Sequence, residues 1–186
     1  MGKKIIIPTG YPFAGKELVE VISPHILQSR INEIGEDISK YYKNNIPIII
    51  GVLNGAFLFL ADLVRNLNIE CEVDFIKIES YGDDIKSSGT VRLLKDISAD
   101  ITDRHVIIVE DIVDTGLSFN FLKHRIEEAK PKSLKFVTCL YKPTMAKVDF
   151  DIDWIGFTID ERYFVGYGLD LKQLFRGLPG IYAVNH

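Results

Sequence analysis

Three carboxylates crowd the end of one apolar run. In HVIIVEDIVDTGLSF (His105 to Phe119), Glu110 and Asp111 are adjacent, Asp114 follows three positions later, and Thr115-Gly116-Leu117-Ser118 comes next. A glycine-containing turn that leads into a helix presents free backbone N–H groups and the positive end of the helix dipole. The hydroxyls of Thr115 and Ser118 add donors, which together make a cradle for a phosphate monoester. Adjacent acids at a strand end suit the hydroxyls of a vicinal diol such as ribose. Asp114 then stands beside whatever is attached at the sugar's reactive carbon, where a carboxylate stabilises a developing positive charge or takes a proton from a nucleophile. Capping the next helix accounts for one acid, not for three followed by T-G-x-S. The G-x-x-x-x-G-K-[ST] phosphate loop and the G-x-G-x-x-G dinucleotide fingerprint are both absent. The spacing of Asp111 and Asp114 also departs from the D-x-D-x-T of aspartyl-phosphate enzymes.

The elements that must position these residues alternate along the chain. In SPHILQSRINEIGEDISKYY, Ser23 can cap, Pro24 suits the first turn, and Leu27, Ile31, Ile34, Ile38 and Tyr41 recur at helical spacing. IPIIIGVL is a continuous apolar run, the mark of a strand covered on both faces. FLFLADLVRNL predicts a helix, CEVDFIKIES a strand and HVIIVE a buried strand. LSFNFLKHRIEEAK predicts a helix stopped by Pro131, and SLKFVTCLY a strand. The stretch after Trp154 is shorter and less regular, as for a small flap or hood. Such alternation implies an α/β fold, a parallel sheet with helices on both sides. Open parallel sheets bind ligands beyond the carboxyl ends of their strands. That singles out Leu53 to Ala56, Ser80 to Gly89, Glu110 to Ser118, and Lys142.

Composition bounds the function classes. A chain of 186 residues is most simply one domain, and its net charge of −4 gives no bulk attraction to nucleic acid or to an acidic membrane. Cys71 and Cys139, far apart in apolar runs, read as core thiols in a reducing compartment. The N-terminal apolar run, Ile5 to Ile7, is too short for a signal peptide, no run reaches membrane-spanning length, and Ile6 stands where myristoylation needs Ser or Thr. A cytoplasmic protein is the expectation.

VIIVEDIVDTGLSF resembles the phosphoribosyl pyrophosphate (PRPP) signature of the type I phosphoribosyltransferases. With ESYGDD, YKP and VGYGLD, the chain resembles their hypoxanthine–guanine branch from GVLNGAFLFLADL to LFRGLPGI. The resemblance implies the type I phosphoribosyltransferase fold over residues 1–186: a central parallel sheet flanked by helices, a hood of N- and C-terminal segments, and a mobile loop near 81–97. It implies purine salvage, with transfer of 5-phosphoribosyl from PRPP to N9 of hypoxanthine or guanine and release of pyrophosphate. A xanthine-preferring transferase and a PRPP-sensing regulator are the alternatives.

By the same resemblance, Glu110, Asp111, Thr115, Gly116, Leu117 and Ser118 hold the ribose phosphate, and Asp114 is catalytic. Leu53, Asn54 and Gly55, often with a cis peptide at the first pair, bind pyrophosphate with Arg176. Ser80 and Tyr81 open the mobile loop. Lys142 donates to the 6-oxo group of the purine, Tyr163 stacks on the base, and backbone groups of Phe164 read its edge. Asp170, with Glu110 and Asp111, serves a Mg²⁺ ion, and relatives form dimers or tetramers. The chain departs from its relatives at Asn54, often basic, at Asp160 and Glu161, where a proline is common at the first, and at Tyr163, more often phenylalanine.

Overall fold

The computed structural model describes residues 4–81 and 90–185. In chain order the elements are β1 (Ile5–Ile6), β2 (Glu17–Ile22), α1 (Pro24–Tyr41), β3 (Ile48–Leu53), α2 (Phe57–Arg65), β4 (Glu72–Tyr81) and β5 (Thr90–Lys95), then β6 (His105–Val113), α3 (Leu117–Glu127), β7 (Ser133–Tyr141), β8 (Trp154–Thr158), β9 (Phe164–Val165) and β10 (Ile181–Val184). They form a six-stranded sheet of order β5-β4-β3-β6-β7-β8 and a four-stranded sheet of order β1-β2-β10-β9. The large sheet is parallel except at β5, which runs antiparallel to β4.

The continuous apolar runs are explained by the two faces of that sheet. Successive strand residues point to opposite faces, and both faces here are covered. Ile49, Ile107 and Val109 pack with Leu27, Ile31, Phe59 and Leu63 of α1 and α2. Ile48, Ile50, Val106 and Ile108 pack on the other side with Phe119, Leu122 and Ile126 of α3. With no solvated face, neither β3 nor the Val106–Val109 stretch of β6 carries a polar side chain.

Helix α1 starts where its cap predicts: Ser23 Oγ accepts from Ile26 N at 3.5 Å, and Pro24 occupies the first turn. Its buried stripe is Leu27, Ile31, Ile34 and Ile38. Tyr41, expected to continue that stripe, is 58% exposed, and the buried ring is Tyr42, at 1%. Four residues on from Ile38, Tyr42 continues the inward face, whereas Tyr41 is rotated off it.

Two strands are longer or more regular than their patterns imply. β6 runs three residues beyond HVIIVE, so Glu110 and Asp111 lie inside the last turnless stretch of a central strand. β8, at the start of the stretch expected to be irregular, pairs parallel with β7 and forms the edge of the large sheet. Arg30 reaches from α1 to that edge, donating to the carbonyls of Gly156 at 3.1 Å and Ile155 at 2.8 Å. Within the stretch near 81–97, expected to be a mobile loop, Thr90–Lys95 is a strand, and residues 82–89 lie outside the described residues.

The small sheet joins the two ends of the chain, with Leu18 opposite Val184 and Phe164 opposite Ala183. Phe164, Ile181 and Ala183 continue into the core on the α1–α2 side. Cys139 is buried, Cys71 is partly so, and both are free thiols. No helix among the described residues is long and apolar enough to cross a membrane.

Candidate active site

The carboxyl end of β6 and the turn into α3 make one half of the site. Gly116 caps α3 in the left-handed region at φ 84°. The turn is held from across by the loop after β7: Lys147 N donates to Thr115 O at 2.9 Å, and Asn120 Nδ2 donates to Lys147 O at 2.9 Å. A pocket of about 300 Å³ opens here, lined by the ten consecutive residues Glu110 to Phe119 together with Met145. Glu110, Asp111, Asp114, Thr115, Gly116, Leu117 and Ser118 are therefore brought to one cavity. Met145 was not anticipated, since a lone methionine after YKP carries no sequence signal of a site.

The acids of this pocket differ in their surroundings. Glu110 is buried, its Oε2 has no hydrogen-bond partner, and its pKa is pushed well above the usual carboxylate range, by burial first and then by the charge of Asp111. Burial also lifts Asp111, to about 6, against the pull of the Ile112 N–H at 2.8 Å and the Arg176 charge. Although part of Asp111 reaches the pocket, Gly55 presses so closely on it that a Cβ built there would lie 1.6 Å from a carboxylate oxygen. Asp114 accepts from Lys142 Nζ at 3.1 Å through Oδ2, while Oδ1 is buried without a partner. A buried acceptor left unpaired is costly, so Asp114 Oδ1 is open to a donor.

A second pocket of about 190 Å³ shares Asp111, Ile112 and Asp114 with the first and adds Lys142, Tyr163, Phe164, Leu169 and Asp170. Lys142 leaves the end of β7, its own N–H bonded to Val113 O at 3.0 Å. Its buried ammonium lies between Asp114 and the face of Phe164, 5.8 Å from the ring centroid. Tyr163 donates through its hydroxyl to Asp170 O at 2.9 Å and packs on Phe13 at 5.5 Å between ring centroids. Asp160, one of the departures, is held by Arg162 at 2.7 Å, and that guanidinium lies 5.8 Å from the Phe164 ring. The departure thus reaches the second pocket through Phe164.

The predicted pyrophosphate residues sit behind these acids. The Leu53–Asn54 peptide is cis, and Asn54 is exposed. Arg176 pairs with Asp170 Oδ1 at 2.7 Å and donates to Gly168 O at 2.6 Å, and Gln173 N donates to Asp170 Oδ2 at 2.6 Å. Among the described residues, neither Arg176 nor the 53–55 loop lines the two pockets. Ser80 and Tyr81 end β4, paired in register with Val91 and Thr90.

Among the described residues no group of three or more His, Cys, Asp or Glu side chains gathers to hold a metal ion alone. Asp111 and Asp170 do line one pocket. Two hard carboxylates with room for water and phosphate oxygens fit Mg²⁺, which seldom uses an all-protein cage.

Residues 23–172 match the model of the phosphoribosyl transferase domain family. The chain is 40% identical over 172 residues to a hypoxanthine-guanine phosphoribosyltransferase of Aquifex aeolicus (strain VF5), covering 92% of this chain and 97% of that protein. The fold is similar to the crystal structure of a hypoxanthine-guanine phosphoribosyltransferase from Bacillus anthracis, with a TM-score of 0.85, 41% identity and coverage of 90% of this chain and 98% of the other. It is also similar to a hypoxanthine phosphoribosyltransferase from Trypanosoma cruzi in complex with the product IMP, with a TM-score of 0.82, 37% identity and coverage of 96% and 98%.

Proposed function

The chain belongs to the phosphoribosyl transferase domain family, and we propose that it is a purine-salvage enzyme that transfers 5-phosphoribosyl from PRPP to N9 of hypoxanthine or guanine, yielding IMP or GMP and pyrophosphate. One observation carries the reading: Asp114 and the buried ammonium of Lys142 form a 3.1 Å pair at the junction of the two pockets. A carboxylate and a cation there face the imidazole side and the 6-oxo group of a purine whose N9 points at the sugar.

In this reading the 5-phosphate rests on Thr115 to Ser118, and the ribose hydroxyls meet Glu110 and Asp111. As the anomeric carbon becomes oxocarbenium-like, the anionic end of β6 stabilises it. Asp114 uses its unpaired Oδ1 to hold and move the proton at N7 of the base. Lys142 donates to the 6-oxo oxygen; adenine would present an amino donor to a donor, which disfavours it. Tyr163 stacks on the base and the Phe164 backbone reads its edge. Leu53, Asn54, Gly55 and Arg176 serve the pyrophosphate. Asp170 and Asp111, with Glu110 nearby, would hold Mg²⁺, which would supply neutralisation of the leaving pyrophosphate's charge. Ser80 and Tyr81, at the end of β4, belong to the segment that serves to exclude water from the reaction. A single domain with a hood, a cytoplasmic location and a homodimer or homotetramer complete the proposal.

The test is to incubate the purified protein with PRPP and Mg²⁺ and to offer hypoxanthine, guanine, xanthine and adenine separately. Nucleotide from the first two is expected. XMP as the main product would favour the xanthine-preferring alternative, and no product from any base would overturn the enzyme reading in favour of a PRPP-sensing protein.

A further inference from the structure

Three consecutive residues of the VGYGLD segment have left-handed backbones: Gly166 at φ 96°, Tyr167 at 49° and Gly168 at 99°. A bulky residue between two such glycines is uncommon and is worth a physical account. Tyr167 is buried, and its hydroxyl donates to Asp62 Oδ2 at 2.5 Å, with Leu58 O at 3.4 Å. Both partners lie on α2, the helix that follows the Leu53–Gly55 loop. Burial, and then the bond to Asp62, raises the phenol's pKa, so it remains a donor.

The neighbours of Tyr167 carry this contact into the site. Gly168 packs on the same loop so closely that a Cβ there would lie 2.0 Å from Gly55 O, and Gly55 in turn abuts Asp111. Gly168 N donates to Arg176 O at 2.9 Å, and Arg176 Nη1 donates back to Gly168 O at 2.6 Å. The position of Gly168 therefore sets both the floor under Gly55 and the pairing of Arg176 with Asp170. On the purine side, Phe164 and Val165 have an anchor that does not pass through this contact, their pairing with Ala183 and Tyr182 in the small sheet.

We propose that Tyr167 and Asp62 are positioning residues for the pyrophosphate half of the site, a strut from α2 that holds the Gly166–Gly168 turn against the Leu53–Gly55 loop. The inference rests on the phosphoribosyl-transfer reading above. It assigns the strut to PRPP and not to the purine.

Tyr167→Phe keeps the ring in the core and removes only the hydroxyl. The expected result is a KM for PRPP raised about five- to tenfold, the scale of one lost hydrogen bond, with kcat and the KM for hypoxanthine held within about twofold. Asp62→Ala should reproduce that split while also losing its exposed pair with Arg65, and Tyr167→Phe added to Asp62→Ala should change little further, since the Tyr167–Asp62 bond is already gone. Asp62→Asn retains an acceptor oxygen and should restore most of the affinity for PRPP. An unchanged KM for PRPP, or equal rises for both substrates, overturns the inference while leaving the enzyme reading intact. A wild-type chain that makes no nucleotide would overturn both.

Discussion

The two halves of the site are built by different routes. The half proposed for phosphoribose is ten consecutive residues, Glu110 to Phe119, placed by one strand, one turn and one helix. The half proposed for the purine takes Lys142 from the end of β7, and Tyr163, Phe164 and Asp170 from a segment anchored by pairing of the two chain ends. The first is a local device on the large sheet. The second exists only when residues far apart in sequence fold together, so perturbing the chain ends should damage purine recognition before phosphoribose binding.

Asp114 belongs to both halves, and the largest effect is expected there. Asp114→Asn preserves shape and should reduce kcat by roughly 100- to 1,000-fold with either purine, within the range of general acid–base contributions. Near-wild-type kcat would dissolve the junction between the halves. A smaller effect confined to one half is expected of Ser118→Ala: KM for PRPP up by about five- to tenfold, the scale of one hydrogen bond, with KM for hypoxanthine unchanged. Parallel changes in both constants would show that the halves are not separable.

The smallest effect is one of stability. Burial pushes the carboxyl of Asp111 up to about 6 in the fold, above the 3.8 usual for an aspartate. The neutral carboxyl is therefore favoured by the fold, and that contribution is present below the unfolded pKa and lost as pH rises through about 6. Removing the charge with Asp111→Asn should raise Tm relative to wild type by about 4–8 °C more at pH 7.5 than at pH 4.5, as for roughly 2 kcal/mol in a chain of this length. Thermal melts at the two pH values check it, and a gap that narrows with rising pH would contradict it.

The same contrast explains what the sequence discloses. The acids and the T-G-L-S turn are legible because strand, turn and helix follow one another without interruption, and apolar continuity marks the strand's burial. Lys142 alone reads as a surface lysine, and Tyr163 with Phe164 as ordinary core; only the family resemblance gives them a purine. The burial of Lys142 between Asp114 and Phe164 is a tertiary fact with no local signature. Asp62 is hidden for a related reason, since an acid in an amphipathic helix reads as solvent-facing, yet its partner is Tyr167, more than a hundred residues away. In the fold, β8 was obscured by its short, polar-flanked run, and Tyr42 by the one-residue drift between a helix's turn and its apolar stripe.

The most direct test of a 6-oxopurine site beside a phosphoribose site is calorimetric binding of IMP and AMP to the wild-type protein and to Lys142→Met. The two ligands share the ribose phosphate and differ only in the group at position six of the base and in the N1 proton that goes with it. IMP should bind wild type at least about tenfold more tightly than AMP, as for a buried donor matched to an acceptor, and the gap should close in Lys142→Met. Equal affinity of IMP and AMP for the wild-type protein would contradict the account.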